Sequence, residues 1–150
     1  MTKKMFWIDP YCTHQEATIT WCEGDEVKLD ATIFFAFSGG QESDQGTIGG
    51  LPVQSACKEG LDIIYQLPAE HNLAVGQQVD VEIDWARRYR LMRLHFAAEL
   101  VLELFYQQFP GIEKVGAHIS NDKARLDFAW PESISPILAK FAEEANRIIA

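Results

Sequence analysis

His95 and Glu99 stand four residues apart in the segment Arg93-Leu94-His95-Phe96-Ala97-Ala98-Glu99-Leu100. On a helix that spacing puts an imidazole and a carboxylate on one face, a turn apart. Two chemistries use such a pair. Imidazole nitrogen and carboxylate oxygen both bind zinc, and either group can take a proton from water as a general base. Zinc sites use three or four protein ligands, so His95 and Glu99 form an incomplete metal set; the plain alternative is an i,i+4 pair on a helix surface. Just upstream, Arg87, Arg88, Arg90 and Arg93 are four arginines in seven residues. Arg90 lies three positions from both Arg87 and Arg93, so these three make a ridge suited to phosphates, while Arg88 points elsewhere. Surface ion pairing with the excess carboxylates would use the same residues differently.

A second group is the polar loop Ser38-Gly39-Gly40-Gln41-Glu42-Ser43-Asp44-Gln45-Gly46. Gly39 and Gly40 let backbone amides approach a ligand closely, and Gln41 and Asp44 could line a site wall. The loop lacks the Gly-Lys-Ser/Thr ending of a phosphate loop, and a barrel turn would equally require its glycines. Cys12, His14, His71 and His118 show no ligand spacing and are read as ordinary placements. The three cysteines Cys12, Cys22 and Cys57 form no C-x-x-C, which fits a reducing compartment better than a disulfide scaffold.

The elements that must position these residues fall into two parts. Residues 1–85 read as short strands: Ala17 to Cys22, a long run from Val27 to Phe37, a hairpin turning at Gly49-Gly50, then Ile63 to Leu67 and Val79 to Ile83. Strands at this spacing predict a small closed or nearly closed barrel. The aromatics Trp21, Phe34, Phe35 and Phe37 are assigned to its core, because they lack the interleaved basic residues of a stacking groove. From Ala86 to Phe109 the period becomes helical, with Leu91, Leu94, Ala98, Val101, Leu102 and Phe105 on one stripe, ended by Pro110-Gly111. A hairpin, Val115 to Ile119 with Ala124 to Phe128, precedes a last helix from Ser135-Pro136. That helix should bury Ile137, Leu138, Phe141, Ala145 and Ile148. The expected class is α+β: a glycine-rich β-barrel domain over 1–85, then a partial α+β domain over 86–150. Two strands make a marginal sheet, so the second part needs cover from the barrel, a partner chain or further residues.

Composition narrows the function. The 150-residue chain is 47% apolar and 23% charged, as in ordinary globular proteins, with a formal charge of −9. That field opposes broad binding to nucleic acid, so DNA is not an expected partner. A local arginine cluster can still hold phosphates, since fields decay over about 8 Å at physiological salt. No signal peptide and no membrane span are read, which predicts a cytoplasmic protein.

Several segments in order carry a family resemblance. They are Phe6-Trp7-Ile8-Asp9-Pro10-Tyr11; Leu29 to Phe35 leading into Gly39-Gly40-Gln41-Glu42-Ser43-Asp44-Gln45-Gly46; Val81-Glu82-Ile83-Asp84-Trp85-Ala86-Arg87-Arg88 leading into Leu91-Met92-Arg93-Leu94-His95; Ala124 to Phe128; and Glu144 to Ile149. Together they resemble the AlaX family, free-standing relatives of the editing domain of alanyl-tRNA synthetase, which is also related to the threonyl enzyme's editing domain. The resemblance implies a trans-acting hydrolase of tRNA(Ala) mischarged with serine or glycine, a translation-fidelity activity. It implies contact with the tRNA(Ala) acceptor end through Arg87, Arg90 and Arg93, and a site lined by Gly39, Gly40, Gln41 and Asp44. It also implies zinc, held in the family by an H-x-x-x-H pair and a later C-x-x-x-H pair. His95 matches the first ligand, but Glu99 stands at the second, and Phe96 replaces the family's threonine. No C-x-x-x-H counterpart occurs within these residues. The departures leave an alternative: a diverged, non-catalytic tRNA- or partner-binding module with the editing fold. ATP-dependent synthetase activity is excluded for want of room and motifs.

Overall fold

The computed structural model describes all of Met1–Ala150. Its central element is a seven-stranded antiparallel sheet built from β2 (His14–Glu23), β3 (Glu26–Leu29), β5 (Gly46–Ile48), β6 (Leu51–Pro52), β7 (Ser55–Glu59), β8 (Asp62–Gln66) and β9 (Gln78–Ile83). The spatial order is β6-β5-β9-β2-β3-β8-β7. The α+β class holds, but the closed or nearly closed barrel does not: β6 and β7 end the sheet, β7 meeting beyond it only a single bridge from Cys57 to Phe37, so the sheet is a curled half-barrel. The reason is visible in β6, which is two residues long and ends at Pro52, a residue with no N–H to continue a ladder.

Alternation decides which face is buried. Val79, Val81 and Ile83 of β9 face inward, joined by Ala17 and Ile19 of β2, Val27 and Leu29 of β3, and Ile63 and Tyr65 of β8. Tyr65 is fully buried, with its hydroxyl 2.8 Å from Thr32 Oγ1; desolvation holds its pKa far above the usual phenol value.

The long strand expected over Val27 to Phe37 is broken at Asp30. Its carboxylate accepts from the amides of Thr18 (2.7 Å) and Ala31 (2.8 Å), diverting the chain out of the ladder. The continuation is a separate parallel pair, β1 (Lys3–Lys4) with β4 (Ala31–Thr32). Phe37 is 53% exposed, so its assignment to the core is corrected.

Contacts divide the chain into two compact units: Met1–Ser38 with Glu42–Tyr89, and Gly39–Gln41 with Arg90–Ala150. Helix α1 (Trp85–Gln108) contributes its first turn to one and the remainder to the other. In the second unit α1 buries Leu91 and Ala98 against Ile119, Ala124 and Leu126 of the hairpin β10 (Glu113–Ile119) and β11 (Ala124–Ala129). Further along, Phe105 stacks on Phe128 at 4.7 Å and on Phe141 at 4.1 Å. Phe141 belongs to α2 (Ser135–Ile149), which buries only Phe141 and Ala145. Leu138 and Ile148, expected in its apolar face, are 47% and 50% exposed, because a two-stranded hairpin offers too narrow a surface to cover the whole stripe. Ser135 is the first helical residue rather than the cap.

Candidate functional site

The site begins with the register of α1. Leu91, Leu94 and Ala98 face the hairpin, which turns His95 and Glu99 outward, 47% and 59% exposed. His95 Nε2 lies 3.6 Å from Glu99 Oε1. The glycine-rich loop supplies the third member. Gly40 and Gln41 run alongside the end of β10, where Ile119 N–H donates to the Gly40 carbonyl at 2.8 Å and Gln41 bridges to Ile119. From there the Gln41 side-chain oxygen meets His95 Nδ1 at 2.6 Å. With that oxygen accepting, Nδ1 is the donor, and the ring's other nitrogen, Nε2, is the one beside Glu99. The three groups thus form one connected cluster on the outer face of α1.

Gly40 has φ +84°, and a Cβ there would collide with the Ala117 carbonyl oxygen. Gly40→Ala is expected to cost about 1–3 kcal/mol through the left-handed backbone alone, and to move Gln41 off His95. A denaturant melt that matches the parent's would contradict this close approach.

The remaining residues of the loop and the arginine run are used otherwise. Asp44 is 5% exposed and Arg88 is 3% exposed. Arg88 Nε donates to Asp44 Oδ1 at 2.8 Å and its Nη2 makes a second contact to Oδ2. The same guanidinium reaches the carbonyls of Ile33 (2.6 Å) and Pro10 (3.1 Å), while Asp44 Oδ2 also accepts from Phe35 N–H at 2.7 Å. Asp44, read from sequence as a wall residue, therefore has its oxygens committed inside the fold. Arg87 is largely covered, donating to Glu42 at 2.7 Å and to the Ser43 carbonyl at 3.1 Å. Arg90 and Arg93 are exposed on α1. Of the expected ridge, these two are the exposed members. Gly39, with φ +61°, is exposed in the loop. The buried pair was detectable in principle: Arg88 lies three residues before Leu91, so it falls on the apolar stripe, where a charge survives only with a partner.

Zinc was tested against these donors. A zinc centre uses three or four protein ligands, and no group of three or more His, Cys, Asp or Glu side chains comes together in the structure. His14 pairs with Asp80 at 2.9 Å, His71 accepts from Leu73 N–H at 3.3 Å, and Cys12 lies against the His14 carbonyl. His95 and Glu99 alone do not fit a complete zinc site. No helix is long and apolar enough to cross a membrane.

Comparison with known proteins gives the frame for this geometry. The alanyl-tRNA editing protein AlaX-M of Pyrococcus horikoshii is 33% identical over 153 residues, covering 99% of this chain and 70% of that protein. The AlaX-M protein of Saccharolobus solfataricus is 34% identical over 155 residues, covering 99% and 64%. The alanine–tRNA ligase of Staphylothermus marinus is 36% identical over 154 residues, again 99% of this chain but 17% of the ligase. The chain therefore spans about a sixth of that ligase and roughly two thirds of the editing proteins. No family model matches it.

Proposed function

Because the chain belongs to the AlaX-M family of alanyl-tRNA editing proteins, we infer that it hydrolyses the ester of tRNA(Ala) mischarged with serine or glycine. The observation that supports this reading is the 2.6 Å contact from Gln41 to His95, which leaves Nε2 beside Glu99. In this reading the unit formed by Gly39–Gln41 with Arg90–Ala150 carries the hydrolytic group. His95 Nε2 takes a proton from water as the oxygen adds to the ester carbonyl. The imidazolium so formed has Glu99 beside it and Gln41 behind it. The tetrahedral intermediate then collapses, the carbonyl re-forms, and the terminal ribose oxygen leaves with the proton that His95 returns. Free amino acid and tRNA are the products. Arg90 and Arg93 contact phosphates of the acceptor end, with Arg87 in support, and Gly39 and Gly40 form the nearby backbone wall.

Zinc at His95 and Glu99 would need ligands beyond this pair. A second reading is favoured by Phe96, 70% exposed where a discriminating threonine stands in the family: a tRNA-binding module without hydrolysis. The deciding measurement is release of serine from seryl-tRNA(Ala), with and without chelator, against alanyl-tRNA(Ala). Chelator-resistant release is the expected result; release lost to chelator brings in a metal with outside ligands. No release above the uncatalysed rate leaves only the binding module.

A further inference from the structure

We propose that Trp7, with Lys4 and Lys58, forms a nucleotide-binding patch that gives the protein a second contact to tRNA, in which none of the hydrolytic residues takes part. The proposal rests on the tRNA reading above. Trp7 ends a 3-10 turn (Met5–Trp7) and is 75% exposed, a large indole left in water at the surface of the sheet unit. It is held in place: Phe6 meets it edge-on at 5.7 Å, and Phe6 in turn meets Phe35 at 5.5 Å. The groove beside it has an apolar floor that includes Phe35, Ala36 and Ile63, with Lys4 and Lys58 lining it. Lys4 Nζ sits 5.2 Å from the Trp7 ring centre, steadied by the Leu61 carbonyl at 3.1 Å.

Charge decides the occupant. The chain carries −9 overall, yet two carboxylates of the adjoining β7 and β8 are paired with other cations. Glu59 binds Lys28 at 2.6 Å, and Asp62 binds the terminal ammonium at 3.0 Å. A fixed, exposed indole with one lysine over its ring and another lining the groove beside it matches an unpaired base stacked on aromatic surface with its phosphates held by the ammoniums. A purely apolar partner would leave the ammoniums uncompensated.

The test measures binding of deacylated tRNA(Ala) transcript, which needs no hydrolysis. Trp7→Ala should weaken binding about tenfold at fixed salt, and Trp7→Phe should restore most of it. Lys4→Gln combined with Lys58→Gln should flatten the slope of log affinity against log salt by about 1.5. Trp7 and Lys58 are exposed and Lys4 is half-buried, so circular dichroism on each variant checks that its fold matches the parent's. Hydrolysis of a minimal 3′-seryl adenosine ester should be unchanged in each variant. Unchanged tRNA affinity in Trp7→Ala overturns the proposal, as does displacement of the RNA by polyglutamate at equal charge, which would give the patch to acidic polypeptide. Failure to hydrolyse seryl-tRNA with tRNA binding intact would sink the catalytic reading alone.

Discussion

Asp44→Ala is expected to lower stability by about 3–5 kcal/mol. The carboxylate is buried with Arg88, which holds it through two contacts, while Phe35 N–H donates to it as well. Removing it strands a guanidinium that is 3% exposed, with only the carbonyls of Ile33 and Pro10 left as acceptors. Neither carbonyl compensates a full charge. The pair's own worth is smaller than this loss, since both ions were desolvated to form it. A double-mutant cycle separates the two quantities: Asp44→Ala with Arg88→Met should be markedly less destabilised than Asp44→Ala alone. Asp44→Asn should fall between, because one amide oxygen still accepts from Arg88. The check is the midpoint of thermal unfolding, which should drop by roughly 6–20 °C for Asp44→Ala. A drop under about 2 °C would mean that water reaches Arg88 and that the pair is not closed off.

His95→Ala should cut hydrolysis of seryl-tRNA(Ala) by about 10²–10⁴-fold with little change in stability. The imidazole is 47% exposed, so its loss opens no cavity. Its job is to take and return one proton, a step that Glu99, the other base of the pair, reaches only from the far side of Nε2 and would replace in part. The effect should fall on kcat rather than KM, because His95 meets water and the reacting ester more than the body of the tRNA. Glu99→Gln should cost far less, about two- to five-fold. Glu99 is 59% exposed and 3.6 Å from Nε2, and exposed pairs contribute little against solvent screening. Gln41→Ala should lie between the two, since it frees the ring to flip and to place its hydrogen on the wrong nitrogen. If Glu99→Gln abolishes hydrolysis while His95→Ala retains it, the carboxylate is the base and the roles are exchanged.

The helical half of the molecule was readable because period and punctuation agreed. Apolar residues from Leu91 to Phe105 recur at helical spacing, Pro110-Gly111 ends the run, and α1 closes at Gln108. The His95–Glu99 face followed from the same register. What the sequence hid were contacts made at a distance. Gln41 reaches His95 across 54 positions, and Asp44 reaches Arg88 across 44; spacing rules describe neighbours and say nothing of such pairs. Both loop residues were recognised as special, but polarity in a glycine-rich loop does not reveal whether it serves a ligand or the fold. Asp30 misled for a related reason. Its side chain satisfies two backbone amides and breaks a strand that Val27 to Phe37 would otherwise continue. β7 was missed because Ser55–Glu59 has a single buried residue, Ala56, and so lacks alternation.

The open borders of the half-barrel carry one further consequence. An unpaired strand edge is a template on which another extended chain can add, the first step toward fibrous aggregates. Here both borders are poor templates. On one side β6 offers only two residues, one of them Pro52. On the other, β7 ends in exposed Lys58 and Glu59, charges that an incoming strand would have to desolvate. There the molecule also supplies its own cover, since Cys57 bridges in parallel to Phe37. With one border short and ending in proline and the other charged and partly bridged, the sheet is protected against adding a strand from another copy.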